Sequence, residues 1–218
     1  KFFEEKLLNN KLILFNLDFN NINHRIATAE LHNKLLNDSF VALLGKNFMI
    51  DFYYKLLIKS QIINCIMCKE KDTYVGFIVY TQYPFSFMSK GFKKHFFFFL
   101  KFFVSTLINN PKKIMLFGKI IKVGLNRKYT KKEDLDSNVG ELLSIGILPN
   151  YLEKKDANTN LSISRLLLNH MIKDFKKNGM NCVRVVCKKD NINAIKFYES
   201  YAGKIIDKNY PGNNFLFM

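Results

Sequence analysis

ELLSIGILP (141–149), SISRLLLNHMIKDFKKNGM (162–180) and CVRVVCKKDNINAIKFYESYAGK (182–204) are the stretches on which the reading of this chain turns. Residues 139–148 read as a strand, stopped by Pro149-Asn150, because proline disfavours helix before it and cannot donate to a ladder. The next stretch carries apolar residues at 163, 166, 167, 171 and 175. That is a 3.6-residue period, so a helix is predicted over 160–178, with Asn178-Gly179 as its stop. Residues 182–188 form a short apolar run, predicted to be a buried strand, and 191–201 a short helix opened by Asn191.

Outward from this segment the pattern stays mixed. Residues 12–17 read as a first strand, 22–36 as a helix, and 39–59 as a second helix capped by Asp38-Ser39. Residues 62–69 and 74–81 are β-rich and separated by EKDT, a hairpin with Gly76 just beyond its turn. Residues 204–207 and 215–218 supply the last strands. The chain is therefore read as one α/β domain over 1–218, with a large insertion over 83–132. Its 218 residues are 48% apolar, ample for a core.

Four cysteines are too few and too irregularly spaced for a disulfide scaffold, which points to a reducing, cytoplasmic compartment. Cys65 and Cys68 form a lone CxxC in a β-rich run, where residues three apart face opposite sides of a strand. They are read as core thiols, and no metal site is expected. The opening KFFEEKLLNN carries acids and lacks the apolar region of a signal peptide. The most apolar run, 96–108, contains Lys101 and is shorter than the roughly 20 residues that cross a bilayer.

The segment after the 182–188 strand, with Asn191, Ala194, Tyr198, Glu199 and Gly203 in place and Ala202 where glycine is more usual, resembles the N-x-x-A-x-x-x-Y-E-x-x-G-G/F pattern of the GNAT superfamily of acetyl-CoA-dependent N-acetyltransferases. The 163–180 helix follows that family's pattern without gaps. The resemblance implies a mixed, mostly antiparallel central sheet flanked by helices, with its fourth and fifth strands splayed to admit acetyl-CoA. It implies cofactor contacts from Gly146, Ile147 and Leu148 of the strand, from Asn160, Leu161, Ser162, Ile163, Ser164 and Arg165 at the helix start, and from Asn191, Ala194 and Phe197. Ser162 and Ser164 stand where the family has glycines, and about seven extra residues within LEKKDANTN lead into the turn. Helix N-termini still present amides suited to a pyrophosphate.

By the same resemblance Glu141 is the general base for a protonated amine and Tyr198 assists the departing thiolate. Read from the residues alone, Glu141 could equally be a solvated acid at a strand edge, and Tyr198 a core aromatic. Upstream, LHNKLLNDSFVALLGKNFMIDFYYKLL is similar to the first helices of GNAT proteins of surface-polysaccharide synthesis. That likeness implies substrate contacts from His32, Phe40 and Tyr53, and an acceptor that is a small amine, best matched by a nucleotide- or lipid-linked amino sugar.

The net charge is +16, and Lys, Asn, Ile and Phe are abundant, as in AT-rich coding sequences. The charge is placed unevenly, however. Residues 85–132 hold ten Phe and twelve Lys or Arg, with no Asp or Glu. Two helices are predicted there, over 92–109 and 111–126, with Pro111 in a first turn. Such a segment suits an anionic membrane surface, a lid over the acceptor, a homodimer face, or simply a helical hairpin with Phe inside. Nucleic acid ranks below these because no binding motif accompanies the charge. The competing functional reading is a GNAT-like module for membrane or protein interaction that lacks catalysis.

Overall fold

The computed structural model describes residues 12–84, 86–109, 138–201, 203–210 and 214–217. Seven strands form one sheet: β1 (Leu12–Asn16), β2 (Asn64–Glu70), β3 (Thr73–Thr81), β4 (Val139–Ile147), β5 (Cys182–Lys188), β6 (Ile205–Tyr210) and β7 (Asn214–Phe217). Their spatial order is β1-β2-β3-β4-β5-β7-β6. Every pairing is antiparallel except β4 with β5. The helices are α1 (Ile22–Leu35), α2 (Phe40–Leu43), α3 (Phe48–Leu57), α4 (Phe87–Lys94), α5 (Phe96–Asn109), α6 (Ile163–Lys177) and α7 (Ile192–Glu199). The α/β class, the hairpin and the strand–helix–strand–helix order of the C-terminal third are as predicted.

The sheet carries a core on each face. One packs α1, α3 and the start of α4 over Met67, Phe77 and Val79. The other packs α6 and Tyr198 of α7 over Ile66, Ile78, Leu142 and Val185. Cys65 belongs to the first core and Cys68 to the second, as their spacing on one strand requires. All four cysteines are free thiols, and burial pushes Cys68 up to about 12.

Two expectations need correction. The single helix over 39–59 is broken at Gly45, whose φ of +99° a residue with a side chain rarely adopts. Beyond it, α3 is wound as a π-helix, with i→i+5 bonds. The wider turn lets the adjacent Tyr53 and Tyr54 both face inward, at 2% and 0% exposure. The helix over 92–109 begins earlier and is interrupted at His95, giving α4 and α5. The second predicted insertion helix, 111–126, lies outside the described residues.

Helix α6 sits close on β4 because Gly140 has no side chain. A Cβ there would lie 2.4 to 2.7 Å from three ring atoms of Phe175, which is buried in the core. Gly140→Ala is therefore expected to destabilise the chain by about 1–3 kcal/mol, as overpacking does. Urea unfolding of the two proteins measures this, and equal midpoints would show that α6 is free to shift.

Candidate active site

Strands β4 and β5 pair over only four residues, Val139↔Cys182 to Leu142↔Val185. Beyond that point β4 stays with β3 up to Ile147, and β5 stays with β7 up to Lys188. The parting coincides with a bulge in β4. Val79 faces Ser144 and Tyr80 faces Leu142, so Leu143 has no partner on β3. A bulge bends its strand and turns side chains, and here it steers β4 away from β5. The Leu148 amide donates to Val75 O at 2.9 Å. Since successive backbone groups alternate in direction, the Ile147 amide points the other way, into the gap. Of Gly146, Ile147 and Leu148, Ile147 is thus the position that offers its backbone to the gap; Gly146 instead makes room for Phe77 and Leu35.

On the α1 side the gap opens into a cavity of about 310 Å³. His32, Phe40 and Tyr53, named from sequence, all line it, together with Glu141. Glu141 is 1% exposed, which excludes the solvated strand-edge reading. Arg184, its register neighbour on β5, is equally buried. Ser39, Phe87, Met88, Ser144 and Lys188 also line the cavity and were not found from sequence. Ser39 caps α2, through the Ala42 amide, as well as lining the cavity. Phe87 and Met88 belong to the insertion, so its first helix does cover this space. Lys188 at the end of β5 lines the cavity and is ion-paired with Asp38, the neighbour of Ser39 in the chain.

His32 sits in a hydrogen-bond chain. Its Nδ1 lies 2.6 Å from the Tyr54 hydroxyl and its Nε2 2.9 Å from Ser39 Oγ. The fully buried Tyr54 hydroxyl must donate, and His32 is its partner. Nδ1 is then the acceptor, and Nε2–H donates to Ser39 Oγ. Ser39 Oγ also accepts from the Ala42 amide at 3.3 Å. Ser39 itself lines the cavity. Burial lowers His32 to about 4, so the imidazole is neutral at pH 7.

The other candidates lie across β5. Tyr198 packs with α6 and Cys187 in the second core, and burial raises its phenol above the usual range, so it keeps its proton. Asn191 Oδ1 accepts from the Ala194 amide at 3.1 Å, capping α7; Phe197 meets Tyr198 edge-on and Tyr201 at a tilt. At the start of α6, Ser162 caps the helix through the Arg165 amide. Its hydroxyl is 3.0 Å from that of Ser164. Ser162 has φ −66°, so no glycine is required there. Asn160 alone in this turn takes a positive φ, 54°, as asparagine tolerates.

The extra residues before α6 form a closed loop. Asp156 is bonded to Leu161 O through its amide and accepts the Asn160 amide at its carbonyl. Its carboxylate takes the amides of Asn158 and Thr159 and the Thr159 hydroxyl. Those donors are occupied by an internal anion. The first-turn amides of Ile163 and Ser164 have no intrahelical carbonyl to bond, and the Ser162 and Ser164 hydroxyls, one donating to the other, leave one hydroxyl proton to offer outward. Arg165 lies 5.8 Å from the Tyr201 ring, and Leu161 is half-buried.

No family model matches the sequence, and no curated protein matches it. Solved structures do. The PaiA N-acetyltransferase of Thermoplasma acidophilum, in complex with coenzyme A, superposes with TM-score 0.53 at 17% identity over 95% of this chain and 97% of that one. A GNAT-family acetyltransferase of Staphylococcus aureus Mu50 gives 0.53 at 12% identity, over 94% and 97%. This chain has the GNAT fold. Arabidopsis thaliana NAA60, in complex with acetyl-CoA, shares the GNAT fold with TM-score 0.51 at 10% identity, over 95% and 97%. Among the described residues no group of His, Cys, Asp or Glu could hold a metal ion.

The buried His32 gives this cavity a pH signature. Its folded pKa lies below the reference value of about 6.5, so the unfolded chain binds the extra proton first. His32 contributes stability above pH 6.5 that is lost as pH falls toward 4. The lost amount is about 3 kcal/mol. Imidazole C2–H resonances followed by NMR should show His32 neutral at pH 6; titration at the free-histidine value would contradict the hydrogen-bond chain.

Proposed function

We propose that the chain is an acetyl-CoA-dependent N-acetyltransferase acting on a primary amine held in the cavity beside Glu141. The observation that carries this is the parting of β4 from β5, which opens onto a cavity bearing a buried carboxylate. The donor set at the α6 start fits a pyrophosphate, and the gap fits the extended arm between it and the cavity. When bound, acetyl-CoA supplies a thioester carbonyl as electrophile. Glu141 accepts the amine proton, directly or through water, as the amine nitrogen bonds to the carbonyl carbon and the carbon–sulfur bond breaks. The Ile147 amide faces charge developing on the carbonyl oxygen. Tyr198 remains a neutral phenol, so its role is a hydrogen bond to the leaving sulfur rather than complete proton transfer.

The acceptor reading is an amino sugar linked to a nucleotide or lipid carrier in surface-glycan synthesis. The cavity volume suits one sugar ring. The Ser39 hydroxyl offers a donor, and the buried Ser144 hydroxyl has no hydrogen-bond partner. Lys188, an exposed residue of the cavity lining, can exchange Asp38 for a carrier phosphate. Free thiols suit a reducing, cytoplasmic setting. The second reading, a GNAT-like interaction module without catalysis, draws on the Asp156 carboxylate and the glycine-free turn.

Calorimetry with acetyl-CoA separates the two: binding is expected, and no binding at millimolar cofactor leaves only the module. Glu141→Gln should lower kcat about a hundredfold or more at neutral pH with cofactor affinity kept. Tyr198→Phe should lower kcat about tenfold, again with affinity kept. Thiol release by both variants at the parent rate would remove the assigned roles.

A further inference from the structure

Among the described residues, the outer face of α5 is not used by the fold or by the cavity. Helix α5 turns Phe98, Phe99, Phe102 and Phe103 toward the first core. Phe98 stands 5.8 Å from Phe52, Phe102 5.3 Å from Phe48, and Phe99 4.4 Å from Phe92 of α4. These contacts fix the helix. The opposite face, at 97, 100, 101 and 104, follows the i, i+3, i+4, i+7 spacing of one helical side. It exposes Phe97 at 84%, Leu100 at 46% and Val104 at 45%, with Phe96 at 55% beside them. Lys101 lies on the same exposed face, and Lys90, Lys93 and Lys94 of α4 are exposed as well. No Asp or Glu occurs between 87 and 109.

We propose that this face docks the protein on an anionic lipid bilayer, with Phe96, Phe97, Leu100 and Val104 entering the headgroup boundary and the lysines meeting lipid phosphates. An exposed apolar stripe that carries a lysine, with further exposed lysines on the preceding helix, suits a helix lying in the interface. None of the described helices is long and apolar enough to cross a membrane, and the proposal lays α5 along the bilayer surface. A second copy of this chain fits less well, since it would bring the same lysines against each other with no acid to pair them. Nucleic acid would meet the lysines but would leave the aliphatic Leu100 and Val104 without a role. The proposal does not depend on the acetyltransferase reading. The two join at α4, whose Phe87 and Met88 line the cavity, so a docked protein presents that cavity close to the bilayer.

Sedimentation of the full chain with vesicles tests this. Vesicles of phosphatidylcholine with phosphatidylglycerol should pellet it at low salt, and high salt or phosphatidylcholine alone should release it. Lys93→Glu/Lys94→Glu/Lys101→Glu should weaken partition about a hundredfold. Phe97→Ser/Leu100→Ser should weaken it about tenfold. All five positions are exposed, and unchanged circular dichroism will show that the variants fold. Binding that ignores lipid charge, or variants that pellet like the parent, overturns the proposal. So does a dimer dissociated by Phe97→Ser/Leu100→Ser, or binding to single-stranded DNA without binding to vesicles.

Discussion

The separation of β4 from β5 after Leu142 and Val185 is the constraint from which the rest of the site follows. Each strand keeps a full partner on its other side, β3 for one and β7 for the other, so the sheet survives the gap. The bulge at Leu143 supplies the bend, and it turns the strand where the cavity begins. Backbone groups inside a sheet are normally paired, so an edge opened within the sheet invites an extended ligand that can take their hydrogen bonds. The cavity lies on one face of that gap. Tyr198 and the start of α6 belong to the opposite face, so a ligand threading the gap could meet both sets of residues.

The order of elements was legible because it rests on local periodicity. The 3.6-residue pattern of α6, the cap by Asn191 and the hairpin across EKDT all reappear in the fold. The faces of Cys65 and Cys68 followed from strand geometry alone. What was not legible depends on winding or on distant pairing. A π-helix and an ordinary helix share an apolar composition, so α3 and the break at Gly45 could not be separated from the pattern over 39–59. Ser39 looked like a cap, and it is one; its second role needs His32 and Tyr54 in contact, which only the fold provides. Phe87, Met88 and Lys188 reach the cavity from segments far apart in the chain. The second half of the insertion lies outside the described residues, so its reading stays with the sequence.

The glycine-free turn also changes meaning once its conformation is known. Glycines matter where φ is positive or backbone must approach closely. Here Asn160 takes the positive φ, and Ser162 and Ser164 sit where serine is unstrained. The loop before them is closed by Asp156, which consumes the amides of Asn158 and Thr159. What remains to a phosphate under the proposed function is the first turn of α6 and its serine hydroxyls, a smaller donor set than a glycine-rich loop offers.

The central claim is that the gap between β4 and β5 is the seat of acetyl-CoA. Amide hydrogen exchange, read by mass spectrometry with and without acetyl-CoA, tests it most directly. The account expects slowed exchange at residues 143–147, 186–188 and 163–165, with the paired segment 139–142 little changed. Equal exchange in those segments at saturating acetyl-CoA, or protection confined to other parts of the chain, would contradict it.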